Sequence, residues 1–306
     1  MASMTVEETR RRLGRVGAGL MVPIAPADEW RESVRRVEKA GYRSVWVNEA
    51  IGGREVFAHM GVMLAASERI VVGSAIANVW ARHPAAMQGG AAVLADAYPG
   101  RLALGLGVSM GAIVEQSGQK WERPLGRMRD YLDQLDASAA MAPRPPVPFP
   151  RILAALGPKM TGLARERADG ALPATMPVEH TRRSREILGP DRLLVVLQMV
   201  IPETDPATAR EIIRGTGLLN IPDSPYTSAL RGLGHGDADL AGGGTDELID
   251  ARFAWGTEKT IAERLQAHLD AGADHVLVTV LGETLGSMTE QFERLSPALT
   301  ELATRV

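Results

Sequence analysis

Short continuous apolar runs alternate along this chain with longer amphipathic stretches. The runs VGAGLMV (16–22), AGYRSVWV (40–47), RIVVGSAI (69–76), YPGRLALGLG (98–107), RILAAL (151–156), RADGALPAT (167–175), RLLVVLQMV (192–200) and AGADHVLVTVL (271–281) are apolar at successive positions rather than at every second one. That pattern suits strands covered on both faces, as in a parallel sheet. In four of them a helical pattern stops at Gly41, Gly100, Gly170 or Gly272 just before the apolar run. Glycine takes the left-handed conformation past a helix end, so each is read as a joint between a helix and the next strand.

The stretches between carry one apolar face at helical spacing: Trp30, Val34 and Val37; Leu125, Met128, Leu132 and Leu135; Ile261, Leu265 and Leu269. Thr5 with Glu8 reads as a capping box on a short leading helix, and Ser287 with Glu290 as one on the last helix. Eight strand–helix units in 306 residues predict a single (β/α)8 TIM barrel spanning residues 1–306. A doubly wound sheet is the alternative, but its first turn needs a glycine-rich loop leading into a helix. VGAGLMVPIAP places Pro23 and Pro26 there.

Residues 203–256 break the rhythm, with a helix expected near 205–214, the turn-rich NIPDSPYTSALRGLGHGDADLAGGG, and a second helix from Thr245. This exceeds an ordinary connection and reads as an insertion after strand seven, lying over the barrel top as a lid or substrate wall. A surface excursion without a role is the plainer reading. PRPPVPFP (143–150) is a rigid link into strand five.

Charge narrows the function. Lys and Arg number 34 against 37 Asp and Glu, a formal net charge of −3, so no basic excess draws the chain to nucleic acid or an anionic membrane. The absence of cysteine removes disulfides, thiolate nucleophiles and sulfur-ligated metals. MASMTVEETRRRLGR has no apolar stretch behind its arginines, as a signal peptide would. No apolar run approaches the roughly 20 residues that span a bilayer. A soluble, cytoplasmic protein is expected.

Chemistry in such barrels gathers at the carboxyl ends of the strands. Those ends read residues 23–26; Asn48, Glu49 and Ala50; residues 74–82; Gly107, Val108, Ser109 and Met110; Leu156, Gly157 and Pro158; Thr175 and Met176; Val200 and Ile201; Leu281 and Gly282. They hold no carboxylate cluster for glycoside acid–base work. The six histidines form no closely spaced ligand set, so no metal is expected. His59, His268 and His275 sit where structural roles are expected, leaving His83, His180 and His235. LGPKMT (156–161) has the grammar of an anion site, since Pro158 opens a helix whose N–H groups at Lys159 and beyond could face a phosphate. An ordinary helix start explains the same residues.

GYRSVWVNEA, SERIVVGSAIANVWARHPAAM, GRLALGLGV, RILAALGPKMTGLARERADGA and WGTEKTIAERLQAHLDAGADHVLV together resemble the luciferase-like monooxygenase superfamily, and within it the actinobacterial branch of deazaflavin (coenzyme F420)-dependent oxidoreductases. The resemblance covers nearly the whole chain. It implies a redox barrel holding a flavin or deazaflavin across its top, with a bulge and non-prolyl cis peptide at the end of strand three, here at Ser74 to Ala75. Small residues before the bulge would let the backbone approach a flat ring. By the same resemblance Asn48, Glu49, Ser74, Ala75, Ile76, Asn78, Gly107 and Val108 would surround the ring. The cofactor phosphate would sit at Gly157, Pro158, Lys159, Thr175 and Met176. Trp80, Met110 and Ala174 would shape the substrate side, and Glu49, His180 and His83 are the candidates for proton handling. A salt bridge to Arg54 or Arg82 is the structural alternative for Glu49.

Three positions depart from the family. Ala50 stands where many members have histidine, Met110 follows Ser109 where relatives read Ser-His, and Leu172, Pro173 and Ala174 replace His-Pro-Tyr. Removing these polar groups removes proton-transfer partners. The expectation is an F420-dependent oxidoreductase passing hydride to or from an apolar organic substrate. An FMN-dependent monooxygenase, and a cofactor-free barrel that binds or cyclises a hydrophobic substrate, are the alternatives. REVFAHMGVMLAAS and HPAAMQGGAAVLADA are rich in small and apolar residues, which suits a homodimer and equally suits packing within the barrel.

Overall fold

The computed structural model describes residues 6–21, 24–217 and 224–302. Eight parallel strands close into a barrel: β1 (Val16–Gly19), β2 (Ser44–Val47), β3 (Val71–Ser74), β4 (Leu102–Gly107), β5 (Arg151–Ala154), β6 (Gly170–Leu172), β7 (Leu193–Ile201) and β8 (His275–Val280). Each pairs with the next. β8 closes the ring by pairing with β1 from Val16↔Val276 and with β7 from His275↔Val195. All eight apolar runs thus become the strands expected of them, and the TIM barrel is the observed fold. Thr5 and Pro23 lie outside the described residues.

Two apolar layers result from the inward and outward alternation of strand residues. The inner layer contains Trp46, Val71, Ala103, Ile152, Leu172, Leu193, Val195 and Leu277, with Leu13 added from the first helix, Val6–Leu13. The outer layer fills the space between strands and helices, where the predicted helix positions Trp30, Val34, Val37, Met128, Leu132, Leu135, Ile261 and Leu265 are all buried. Among the described residues, no helix is long and apolar enough to cross a membrane.

Some local expectations change. Gly41, Gly100 and Gly272 have positive φ and turn the chain between helix and strand, but Gly170 does not. It belongs to β6, where a Cβ would lie 2.4 Å from the Leu193 carbonyl oxygen. The last helix, Leu285–Glu301, is opened by Thr284 and Ser287 in a reciprocal cap, three residues before the pair read from sequence. Gly73 makes room for the protein itself: a Cβ there would lie 2.3 Å from the Trp46 ring.

After β7 come helices Pro206–Gly215, Pro225–Gly232, Asp237–Leu240 and Asp246–Arg252, then a two-residue strand, Ala254–Trp255, paired with the end of β7. The helices expected near 205–214 and from Thr245 are present, capped by Asp205 and Thr245. Pro225–Gly232 lies in the stretch read as turns. Its start was legible as Ser-Pro: Ser224 accepts from the Thr227 N–H and Pro225 occupies the first helical position. This helix packs toward the carboxyl ends of β5 and β6, where Met176, Leu230 and Leu248 form a cluster with Leu156 and Tyr226 against it.

Candidate active site

The floor of the barrel mouth is uncharged. Met21, Ala75 and Leu197 pack on the inner layer yet remain partly exposed, as do Ile76, Val108, Leu156 and Ala174 around them. At the end of β3 the backbone kinks, with a cis peptide between Ala75 and Ile76, one residue later than expected. The chain then re-pairs with β4 through Ala77 and Asn78. Ser74 joins the two strands across the kink: its Oγ donates to the Gly105 carbonyl (2.9 Å) and accepts from the Gly105 N–H (3.0 Å). Gly105 is required here, because a Cβ would sit 2.0 Å from the Ser74 carbonyl oxygen. Ser74 is wholly buried and committed to this bridge, so its side chain does not line the mouth.

Glu49 also serves the scaffold. Both carboxylate oxygens accept from the Arg82 guanidinium, which also reaches Glu55 at 2.7 Å. The Glu49 carboxylate further accepts from the Asn78 N–H (2.8 Å) and the Val56 N–H (3.3 Å). One buried carboxylate thereby ties the end of β2 to the re-paired strand and to the start of the helix Val56–Ala66. Burial alone would lower the Arg82 guanidinium, but Glu49 and Glu55 outweigh it and hold it above its ordinary value. Of the two partners weighed from sequence it is Arg82 that pairs; Arg54 donates to the Ala25 carbonyl. Each Glu49 oxygen therefore already accepts two hydrogen bonds.

His180 is similarly engaged. Its Nε2 lies 2.7 Å from the Leu156 carbonyl oxygen, which fixes the proton on that nitrogen, and Nδ1 accepts from Ser184 at 3.2 Å. Burial lowers its pKa, so it stays neutral and holds the end of β5 in place. His83 is exposed and caps the helix Pro84–Ala97, its Nδ1 accepting from the Ala85 N–H. Asn78 is wholly buried, its Oδ1 taken by the Trp80 N–H and its Nδ2 without a partner among the described residues. Asn48 is exposed at the rim.

On the β4 side, Trp80 and Trp121 both donate to the Val108 carbonyl, at 2.9 and 3.1 Å, and Arg127 lies 4.7 Å over the Trp80 ring. Ser109 follows in a left-handed conformation (φ 58°), and Met110 precedes the short helix Gly111–Glu115. A Cβ on Gly107 would collide with Ile76, so this glycine seats the kink. At β5, Gly157 caps the helix Pro158–Arg167 without any side-chain bond, and a Cβ on it would meet nothing within 4 Å. Pro158 and Lys159 are exposed in that first turn. At β6, Thr175 is left-handed (φ 52°), while Met176 is buried beneath Leu230 and Leu248 rather than facing the mouth.

Sequence reasoning missed Arg252. It is 2% exposed, its Nε donates to the Thr175 carbonyl at 3.0 Å, and its Nη2 has no partner among the described residues. The signal was present: Leu248, Ile249 and Arg252 are spaced to share one buried helical face, and a cation on such a face is out of place.

Comparisons with known proteins agree with this fold. The family model described as luciferase-like monooxygenase matches residues 10–275. The 5,10-methylenetetrahydromethanopterin reductase of Methanolobus tindarius is 24% identical over 90% of this chain and 96% of its own length. An F420-dependent secondary alcohol dehydrogenase, solved with an F420-acetone adduct, superposes with a TM-score of 0.73 at 17% identity, over 94% of this chain and 99% of that one. The oxygenating constituent of 3,6-diketocamphane monooxygenase of Pseudomonas putida, solved with FMN, gives 0.69 at 14% identity, over 96% and 99%. The chain belongs to the luciferase-like monooxygenase family, among relatives that are F420-dependent or flavin-dependent oxidoreductases.

Proposed function

We propose that this protein is an F420-dependent oxidoreductase that passes hydride to or from an apolar organic substrate. The observation that carries the reading is the uncharged floor of Met21, Ala75, Leu197 and Ala174 beside the kinked end of β3. Residues of this kind fit a flat, largely apolar ring. Next to it, the uncapped first turn at Gly157 has space for the ring's anionic tail.

Bound there, a deazaflavin would supply two-electron hydride chemistry, and the protein would supply orientation and a dry pocket. Ala75, Ile76 and Val108 would back the ring, and Gly157 with Lys159 would receive the tail. Trp80 and Trp121 would form the wall on the substrate side, with Met110 and Ala174. Glu49 and His180 hold strand ends in register, so neither is assigned acid–base work. His83 is the imidazole still open to it. The helices Pro225–Gly232 and Asp246–Arg252, packed at the ends of β5 and β6, would act as a wall over the mouth. A homodimer is also expected, because the helix Val56–Ala66 is apolar around most of its surface, unlike a helix with one solvated face.

FMN would lie on the same floor, and an FMN-bound relative in this fold keeps the monooxygenase reading as the alternative. Fluorescence titration of the purified chain with F420 and with FMN separates them. Saturable F420 binding, tighter than FMN, is expected. Tight FMN binding without F420 binding would transfer the assignment to the monooxygenase. A folded protein that takes neither would overturn both and favour a cofactor-free barrel.

A further inference from the structure

Arginine is among the residues least often fully buried, and a buried charge costs several kcal/mol unless it is paired and hydrogen-bonded. Arg82 and Arg185 obey that rule, while Arg101 is met by hydrogen bonds alone. Arg82 meets Glu49 and Glu55; Arg185 meets Asp274 and three carbonyls; Arg101 bonds two carbonyls and Ser67. Arg252 is more deeply buried than any of these, yet among the described residues it forms no ion pair and its side chain makes one hydrogen bond, where Arg101, also without an ion pair, makes three. Its Nη2 is left without an acceptor. The rings of Phe253 and Tyr226, 5.3 and 5.9 Å away, are its nearest compensation.

The side chain is nonetheless held firmly. The Arg252 carbonyl accepts from Gln198 Nε2 at 2.9 Å, Gln198 Oε1 accepts from His268 Nε2 at 2.8 Å, and His268 Nδ1 in turn accepts from Thr181 at 2.8 Å. β7 and two outer helices thus fix where the residue stands. At the other end, Nε bonds the carbonyl of Thr175, a β-branched residue in a left-handed conformation that costs about 1–3 kcal/mol. The Tyr226 and Phe253 rings, with the Met176, Leu230 and Leu248 cluster that Tyr226 packs against, make the surroundings apolar, which strengthens any charge pairing there. Leu156 leads directly into Gly157 and the uncapped helix start, so two features suited to an anion lie at the ends of adjacent strands.

We propose that Arg252 receives an oxyanion, a phosphate or carboxylate, carried by the ligand that occupies the barrel mouth. This deepens the oxidoreductase reading by naming the charged group of its ligand, and rests on that reading for the mouth being the ligand site. The anion has two sources, the acidic tail of the deazaflavin or an acidic group on the substrate.

Wild type, R252K and R252M are titrated by fluorescence with F420 and with its deazaflavin chromophore stripped of phosphate and acidic tail. Thermal unfolding is followed in parallel with inorganic phosphate against chloride at equal ionic strength. With the anion on the cofactor, R252M weakens F420 by about 30-fold or more, leaves the stripped chromophore within about 2-fold, and R252K recovers part of the loss. With the anion on the substrate, both deazaflavins bind R252M as they bind wild type, while phosphate stabilises wild type and not R252M. Unchanged deazaflavin binding together with no Arg252-dependent effect of phosphate overturns the proposal. A wild type that binds no deazaflavin but is stabilised by phosphate through Arg252 overturns the cofactor assignment and leaves the anion site standing.

Discussion

Two arginines near the strand ends differ in how their charge is met. Arg82, beside the ends of β2 and β3, has its charge neutralised by Glu49 and Glu55. Arg252, at the end of the helix Asp246–Arg252, has the Thr175 carbonyl, two aromatic rings and, among the described residues, an unpartnered Nη2. The first site is complete without a ligand and its work is to fix the kinked backbone. The second is held in position but left electrostatically open, which is how a protein keeps binding energy for something that arrives later. One mouth therefore contains a finished half that shapes the floor and an unfinished half that waits for charge.

The largest effect expected from breaking this contrast is on the finished side. Arg82→Met leaves the Glu49 carboxylate buried without its cation, and should cost about 3–5 kcal/mol in urea unfolding. Arg252→Met, measured the same way without ligand, should stay within about 1.5 kcal/mol of wild type, since losing one hydrogen bond is offset by removing an unpaired buried charge. Equal large losses in both variants would mean that Arg252 is structural.

Acid comes next. His268, behind Arg252, is lowered to about 3 by burial and by the neighbouring Arg264. The unfolded chain takes up this proton near pH 6.5, while the native state refuses it until about pH 3. Stability contributed by the neutral imidazole is therefore present above pH 6.5 and is lost progressively as pH falls toward 3. Between pH 7 and 4.5 this group alone should lower stability by about 2–3 kcal/mol, and His268→Asn should flatten that part of the curve. His59 and His275, each lowered to about 4 chiefly by burial, add slope in the same direction. A pH-independent unfolding free energy over this range would contradict the Thr181–His268–Gln198 chain as drawn.

The smallest effect sharpens the open side. Thr175→Gly removes the strain of a left-handed β-branched residue while keeping the carbonyl that Arg252 uses, and should raise stability by about 1 kcal/mol or less in chemical denaturation. Destabilisation would show that the threonine side chain has a packing role that outweighs its backbone strain.

The fold was legible because burial on both faces writes itself as continuous apolar runs, and all eight runs became strands. The site was less so. Glu49 and Arg82 are 33 positions apart, and sequence could name the pairing only as one option beside Arg54. Gly73 looked like clearance for a ligand ring because nothing local reveals that Trp46 lies across it. His180 is a candidate for proton handling in the sequence until the Leu156 carbonyl is placed 2.7 Å from its Nε2. Arg252 was hidden differently: its local pattern marked it as misplaced on an apolar helix face, but the barrel architecture points to strand ends, and Arg252 lies on a helix.

The measurement that bears most directly on the account is the F420-linked gain in unfolding free energy for wild type and R252M. Wild type should gain about 2.7 kcal/mol at a hundredfold excess over Kd, and R252M should gain far less at the same concentration. Equal gains in the two proteins would contradict Arg252 as the receiver of the cofactor's charge, and no gain in either would contradict the deazaflavin assignment itself.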